Sequence, residues 1–223
     1  IVKCKIDAAQ TKVNFSAEGK VTTDLSTVFK SKQELGEAYG MKKASSIGKE
    51  WNVQADSLAT YVIGKTLAEV KGIAVDDGGK ATASDLKSSV TVSISGYIAA
   101  IEKAVNNAKD IGSKKSDKLG LGVVTTIDKS KDATADADGL AQAYSYYTAT
   151  TFDAQGKVTA SIIDASQTNV NFTAAGKVTT DLASTFKTKD ELGDAYGMKK
   201  ASSIGKEWNE QAAAFASYIK GRT

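Results

Sequence analysis

The stretch AQAYSYYTATTFDAQGKVTASII, residues 141–163, decides the fold class. Tyr144, Tyr146, Thr148 and Thr150 fall two apart, the period of a strand whose side chains alternate between two faces. Asp153-Ala154-Gln155-Gly156 then supplies turn chemistry, and residues 158–163 resume the strand pattern, so the stretch reads as an antiparallel hairpin. A further strand around residues 122–127 is expected in the same sheet. Near the start, Val2, Cys4 and Ile6 alternate with Lys3, Lys5 and Asp7, which predicts another strand with one wet face.

Helical signals lie elsewhere. Ser31-Lys32-Gln33-Glu34 has the spacing of a capping box and predicts a short helix through Tyr39. Ile47, Trp51, Ala55, Leu58 and Val62 share one face of a longer helix that Gly64 stops. Thr66-Leu67-Ala68-Glu69 repeats the capping signature, and Ile94, Ile98, Ile101, Val105 and Ala108 form another amphipathic stripe. Hairpin-paired strands with helices grouped apart predict an α+β fold, an antiparallel sheet with helices packed on it, and not a parallel doubly wound sheet.

The chain also repeats itself. Ile6-Asp7-Ala8 recurs at Ile163-Asp164-Ala165, and the same offset of 157 residues carries Met41 onto Met198, Trp51 onto Trp208 and Thr66 onto Thr223 without a gap. Of the 66 residue pairs so aligned, 43 are identical. A period this long predicts a tandem duplicated domain and not a solenoid. The phase predicts a first domain at 1–110 lacking its leading strands, a small polar linker at 111–118, and a second domain at 119–223 lacking its closing segment and helix. Incomplete domains would leave an apolar groove and a sheet edge, so self-association or a permuted boundary is expected. The chain opens inside a strand pattern without a start methionine, as a mature or trimmed fragment would, with signal peptide and anchor outside it.

Composition closes several function classes. There is no histidine, which removes the commonest general base and the usual transition-metal ligand. Cys4 is the single cysteine, so neither an intrachain disulfide nor a cysteine zinc site is available, and no metal is expected. The formal charge is +3, and of 29 basic residues Arg222 alone is arginine, which argues against nucleic acid as a partner. No apolar run approaches the length of a transmembrane segment. These residues point to a carrier or binding module and not to a hydrolase, with no catalytic residues expected.

The run Gly40-Met41-Lys42-Lys43-Ala44-Ser45-Ser46-Ile47-Gly48-Lys49-Glu50-Trp51 follows the short helix, and Ser88-Ser89-Val90-Thr91 leads into the stripe that starts at Ile94. In this order they resemble the FMN-binding domain family, and most closely its tandem, surface-lipoprotein members from Gram-positive bacteria. The family also includes flavin-carrying subunits of electron-transfer complexes. The resemblance spans the whole 157-residue unit. It implies an extracellular, surface-attached flavoprotein module working in electron transfer with a redox partner or surface ligand, with FMN as cofactor. The family's Ser/Asp-Gly-Ala-Thr motif esterifies FMN through its threonine. Thr91 stands at that acceptor and Ser88 at the first motif position, whereas Ser89 replaces glycine and Val90 replaces alanine, adding bulk where a phosphate must approach. This departure puts flavin attachment in doubt and opens the alternative of a non-catalytic structural or binding repeat. Trp51 and Trp208 are expected in helix cores, and YGMKKASSIGKEWN, present unchanged in both spans, at a pocket edge.

Overall fold

The computed structural model describes residues 1–223. The elements in chain order are β1 (Val28–Phe29), α1 (Lys32–Leu35), a 3-10 turn (Gly36–Tyr39), α2 (Trp51–Val62), α3 (Leu67–Lys71), α4 (Ser84–Lys87) and α5 (Ser95–Asn106). They continue with β2 (Lys118–Thr126), β3 (Gly139–Phe152), β4 (Val158–Phe172), α6 (Lys189–Leu192), a second 3-10 turn (Gly193–Tyr196) and α7 (Trp208–Ile219). The fold is α+β, with a four-stranded sheet in the order β1-β2-β3-β4. The predicted hairpin forms one side of it: β3 and β4 pair antiparallel from Gly139↔Phe172 to Phe152↔Val158, with β4 at the edge.

Small side chains let these strands lie close. Gly122 faces Thr148, where a Cβ would come within 3.1 Å of the threonine methyl. Buried hydroxyls bond one another along the sheet, Thr125 to Ser145 at 2.7 Å and Thr150 to Ser161 at 2.8 Å, so neither is left bare. Gly139 leaves the space that the Phe172 ring fills.

The chain divides into two compact units, residues 1–8 with 32–119, and residues 9–31 with 120–223. The last change of unit, between Leu119 and Gly120, falls beside the expected linker, while residues 9–31, expected with the first domain, belong to the second unit.

In the first unit α2 supplies the core. Trp51, Ala55, Leu58, Ala59 and Val62 are buried with Ile6, Val70, Ala81, Leu86, Val90, Ile94 and Ile101. Each large apolar side chain so covered contributes roughly 1.5–3 kcal/mol before the entropy of ordering it. Thr66 caps α3 by the predicted box: Glu69 donates its amide to Thr66 Oγ1, and Thr66 donates its amide to the Glu69 carboxylate. Two expectations differ from what is found. Residues 1–8 join no strand ladder. Ile47 lies outside the helix, because the turn at Gly48, with φ at +62°, precedes a helix that starts at Trp51.

In the second unit two hairpin tips meet face to face. Phe15 bridges to Val21 and, 157 residues on, Phe172 bridges to Val178. The Phe15 and Phe172 rings stack with centroids 4.0 Å apart and planes 4° from parallel. The contact is reciprocal. A Cβ on Gly19 would lie 2.9 Å from the Ala174 Cα, and one on Gly176 would lie 3.0 Å from the Ala17 Cα. Residue i touching j while the counterpart of j touches the counterpart of i is the signature of a local two-fold axis. Both glycines also sit at φ of +67°, where a side chain is strained. Gly19→Ala and Gly176→Ala are therefore expected to lower stability by more than about 2 kcal/mol each, through left-handed strain plus collision with backbone. Gly156→Ala, also at positive φ but facing open space, should cost only about 1 kcal/mol. Urea unfolding of the three variants makes the comparison.

Candidate functional site

The residues expected to hold a cofactor lie together in the turn between α4 and α5. Ser88 donates its hydroxyl to the Asp85 carbonyl, Ser89 to the Leu86 carbonyl, and Val90 is fully buried. Thr91 is half-buried, and its amide and hydroxyl both donate to Gln54 Oε1, at 2.8 and 3.2 Å. The Val92 amide donates to the same oxygen at 3.3 Å. Gln54 is itself buried in α2, and its Nε2 donates to Ser45 Oγ and the Lys49 carbonyl. One side-chain amide thus ties three segments of the first unit together. A buried polar group among apolar neighbours needs such partners, since an orphaned one costs about 1–3 kcal/mol.

Beside this turn an open cleft of about 530 Å³ is lined by Val53, Asp56, Ser57, Thr60, Tyr61 and Ser89. Of the three expected cofactor residues only Ser89 lines it. Tyr61 donates its hydroxyl to Asp85, which raises the phenol's pKa above its ordinary value. No residue of YGMKKASSIGKEWN lines this cleft, contrary to the pocket-edge expectation. The run has another task. Glu50 is buried and accepts the amides of Met41 and Lys42 at 2.9 and 3.0 Å, and Glu207 accepts those of Met198 and Lys199 at 2.8 and 2.9 Å. Charge-assisted bonds of this kind fold the turn onto its helix.

A second constellation escaped the sequence reading. The Lys32 ammonium lies 4.6 Å from the Tyr39 ring centre and 5.4 Å from that of Trp51. Lys189 repeats it with Tyr196 at 4.4 Å and Trp208 at 5.2 Å, and adds Tyr144 at 4.5 Å. Each aromatic face attracts the cation through its quadrupole. Burial alone would pull the Lys189 pKa down, but hydrogen bonds to the Tyr144 and Tyr196 hydroxyls outweigh it and raise the value above the usual 10.5. The signal was present in sequence as Lys, Tyr and Trp at fixed spacings in both spans, yet the residues are dispersed along the chain.

No group of three or more metal-ligating side chains clusters anywhere in the molecule. No helix is long and apolar enough to cross a membrane. No protein-family profile matches the chain, and no solved structure matches it. A 38-residue stretch is 53% identical to a chlorophenol reductase of Desulfitobacterium hafniense. That match takes in 17% of this chain and 12% of the relative's length.

Two outcomes follow from this geometry. Gln54→Ala strands the Thr91 and Val92 amides and should cost roughly 2–4 kcal/mol in urea unfolding, whereas Thr91→Val, which removes one hydroxyl, should cost about 1 kcal/mol. Lys189→Met should lower stability at pH 8 by about 1–2 kcal/mol. Because the folded-state pKa of Lys189 is raised, its contribution is whole below the unfolded value near 10.5 and is lost as pH climbs through the folded one. The stability gap between the native chain and Lys189→Met should therefore narrow above pH 10.5.

Proposed function

We propose that this chain is a stretch of a tandemly duplicated, FMN-binding-like α+β protein of the cell surface, serving as a non-catalytic structural and binding repeat. The observation that carries this reading is the inward use of Thr91. At the position where the FMN-binding domain family, which the sequence resembles, esterifies FMN, the hydroxyl and amide both serve Gln54 and hold the turn against α2. A phosphoester would remove the hydroxyl proton that makes one of these bonds. The bulk of Ser89 and Val90 in place of glycine and alanine works in the same direction. The duplication is supported by the equal lengths of α1 and α6, of the two 3-10 turns and of α2 and α7 at the 157-residue offset, and by the reciprocal glycine and phenylalanine contacts. Tandem modules with weak individual sites gain affinity by acting together.

A second reading, an extracellular electron carrier with FMN on Thr91, is favoured by the cleft that reaches Ser89 and by the word reductase in the name of the short-matching relative. In that case the flavin supplies the redox chemistry, Thr91 holds it, and the chain's task is orientation. Intact mass and visible absorbance of the protein purified from its native host separate the two. The expected result is a mass equal to that of the polypeptide and no flavin bands. An FMN-sized addition on the peptide containing Thr91 would overturn the structural reading.

A further inference from the structure

The helices α2 and α7 occupy equivalent places in the repeat but meet different surroundings. Residues 67–106, which hold α3, α4 and α5, cover one face of α2. The covering contacts are specific: the apolar set Val70, Leu86, Val90, Ile94 and Ile101, the Gln54 node with Thr91 and Val92, and Tyr61 with Asp85. On α7 the same positions carry Trp208, Gln211, Ala212, Phe215, Ala216, Tyr218 and Ile219. The chemistry is kept position by position while the cover is absent. Leu58 is 1% exposed, and its counterpart Phe215 is 56% exposed. Trp51 is buried, and Trp208 is only half-buried.

The polar contacts agree with the apolar ones. Gln211 Nε2 donates to Ser202 Oγ and the Lys206 carbonyl, as Gln54 Nε2 donates to Ser45 and Lys49. Its Oε1 stands where Gln54 Oε1 takes three donors from the covering segment. An exposed phenylalanine and tyrosine beside an amide already oriented by two bonds is a preorganised surface.

We propose that the open face of α7 is a docking site for a segment of the chemistry of residues 67–108, supplied by a further repeat. The segment packs small aliphatic residues on Phe215 and Ile219, and a Thr91-like turn donates two amides and a hydroxyl to Gln211. An acidic side chain in the place of Asp85 takes the Tyr218 hydroxyl. This inference rests on the reading of the chain as a repeated unit. It differs from self-exchange between two copies, because the segment of each copy is already engaged on its own α2 and moving it gains no new contact.

The test adds a synthetic peptide of residues 67–108 to the full chain and follows tryptophan emission. The peptide holds no tryptophan and Trp51 is already buried, so Trp208 is the reporter. The expected result is a saturable blue shift, weakened about tenfold by Gln211→Ala and lost in Phe215→Asp. A chain with the same segment joined after Thr223 makes the event intramolecular, and its Trp208 emission should shift without added peptide. An unshifted emission in that joined chain overturns the proposal, as does binding that Phe215→Asp leaves intact. The outcome is separable from the flavin measurement: FMN on Thr91 would remove the proposed function and leave docking on α7 untouched.

Discussion

Backbone amide and carbonyl groups withdrawn from water have to be bonded, and this constraint shapes both units. Residues 158–172 meet it by pairing along their whole length with β3. Residues 1–15, which carry nearly the same pattern, have no such neighbour and take another course. Ile1 accepts the Gly64 amide and donates its amino group to the Lys65 carbonyl beyond the end of α2, as Val158 accepts from Gly221 and donates to the Arg222 carbonyl beyond α7, and the first segment then leaves the ladder geometry. The hairpin tips beyond, around Phe15 and Phe172, come together and cover each other's rings. Strand propensity is therefore only permission. The partner decides whether it is used.

The same dependence on partners governs the helices. An amphipathic helix reports the face it wants covered, not what covers it. In the first unit the cover is local in sequence and carries its own polar lock, so Gln54 sits at no exposure without an unsatisfied oxygen. Buried amides of this sort fix register, since a shift of one turn would leave three donors and two acceptors without this partner. The lock explains why glutamine stands inside an otherwise apolar stripe between Trp51 and Ala55.

How much could be read from the sequence follows from how local each signal is. The Thr66 to Glu69 capping box and the turn at Asp153 depend on residues a few positions apart and lie where the sequence placed them, and so does the stripe of α5 from Ile98 to Val105, with Ile94 at the N-cap and Ala108 past the helix end. The strand expected at Val2, Cys4 and Ile6 depends on a distant neighbour, and it is absent. Ile47 has helical spacing, yet Gly48 with its positive φ outranks it and delays the helix to Trp51. At the site, Ser88, Ser89 and Thr91 were legible as a cluster because they are adjacent. Gln54 was not, since its meaning comes from residues 37 positions away. The polar positions Glu50 and Gln54, kept inside an apolar stripe in both spans, were the available clue.

The caged lysines bear on what any aromatic ligand could do here. A flat ring system stacking on Trp51 would need a free indole face. Lys32 lies over one region of that ring, and Tyr97 stands 5.9 Å away at a 55° tilt. In the second span the corresponding wall is Tyr144 of β3 in place of a residue of α5. Each lysine thus meets the rings its own span supplies, Tyr39 and Trp51 for Lys32, and Tyr144, Tyr196 and Trp208 for Lys189. Displacing the lysine would forfeit every ring contact at once. Trp51 therefore belongs to the interior lock of the first unit, while Trp208, half-buried, meets its lysine on a more open helix.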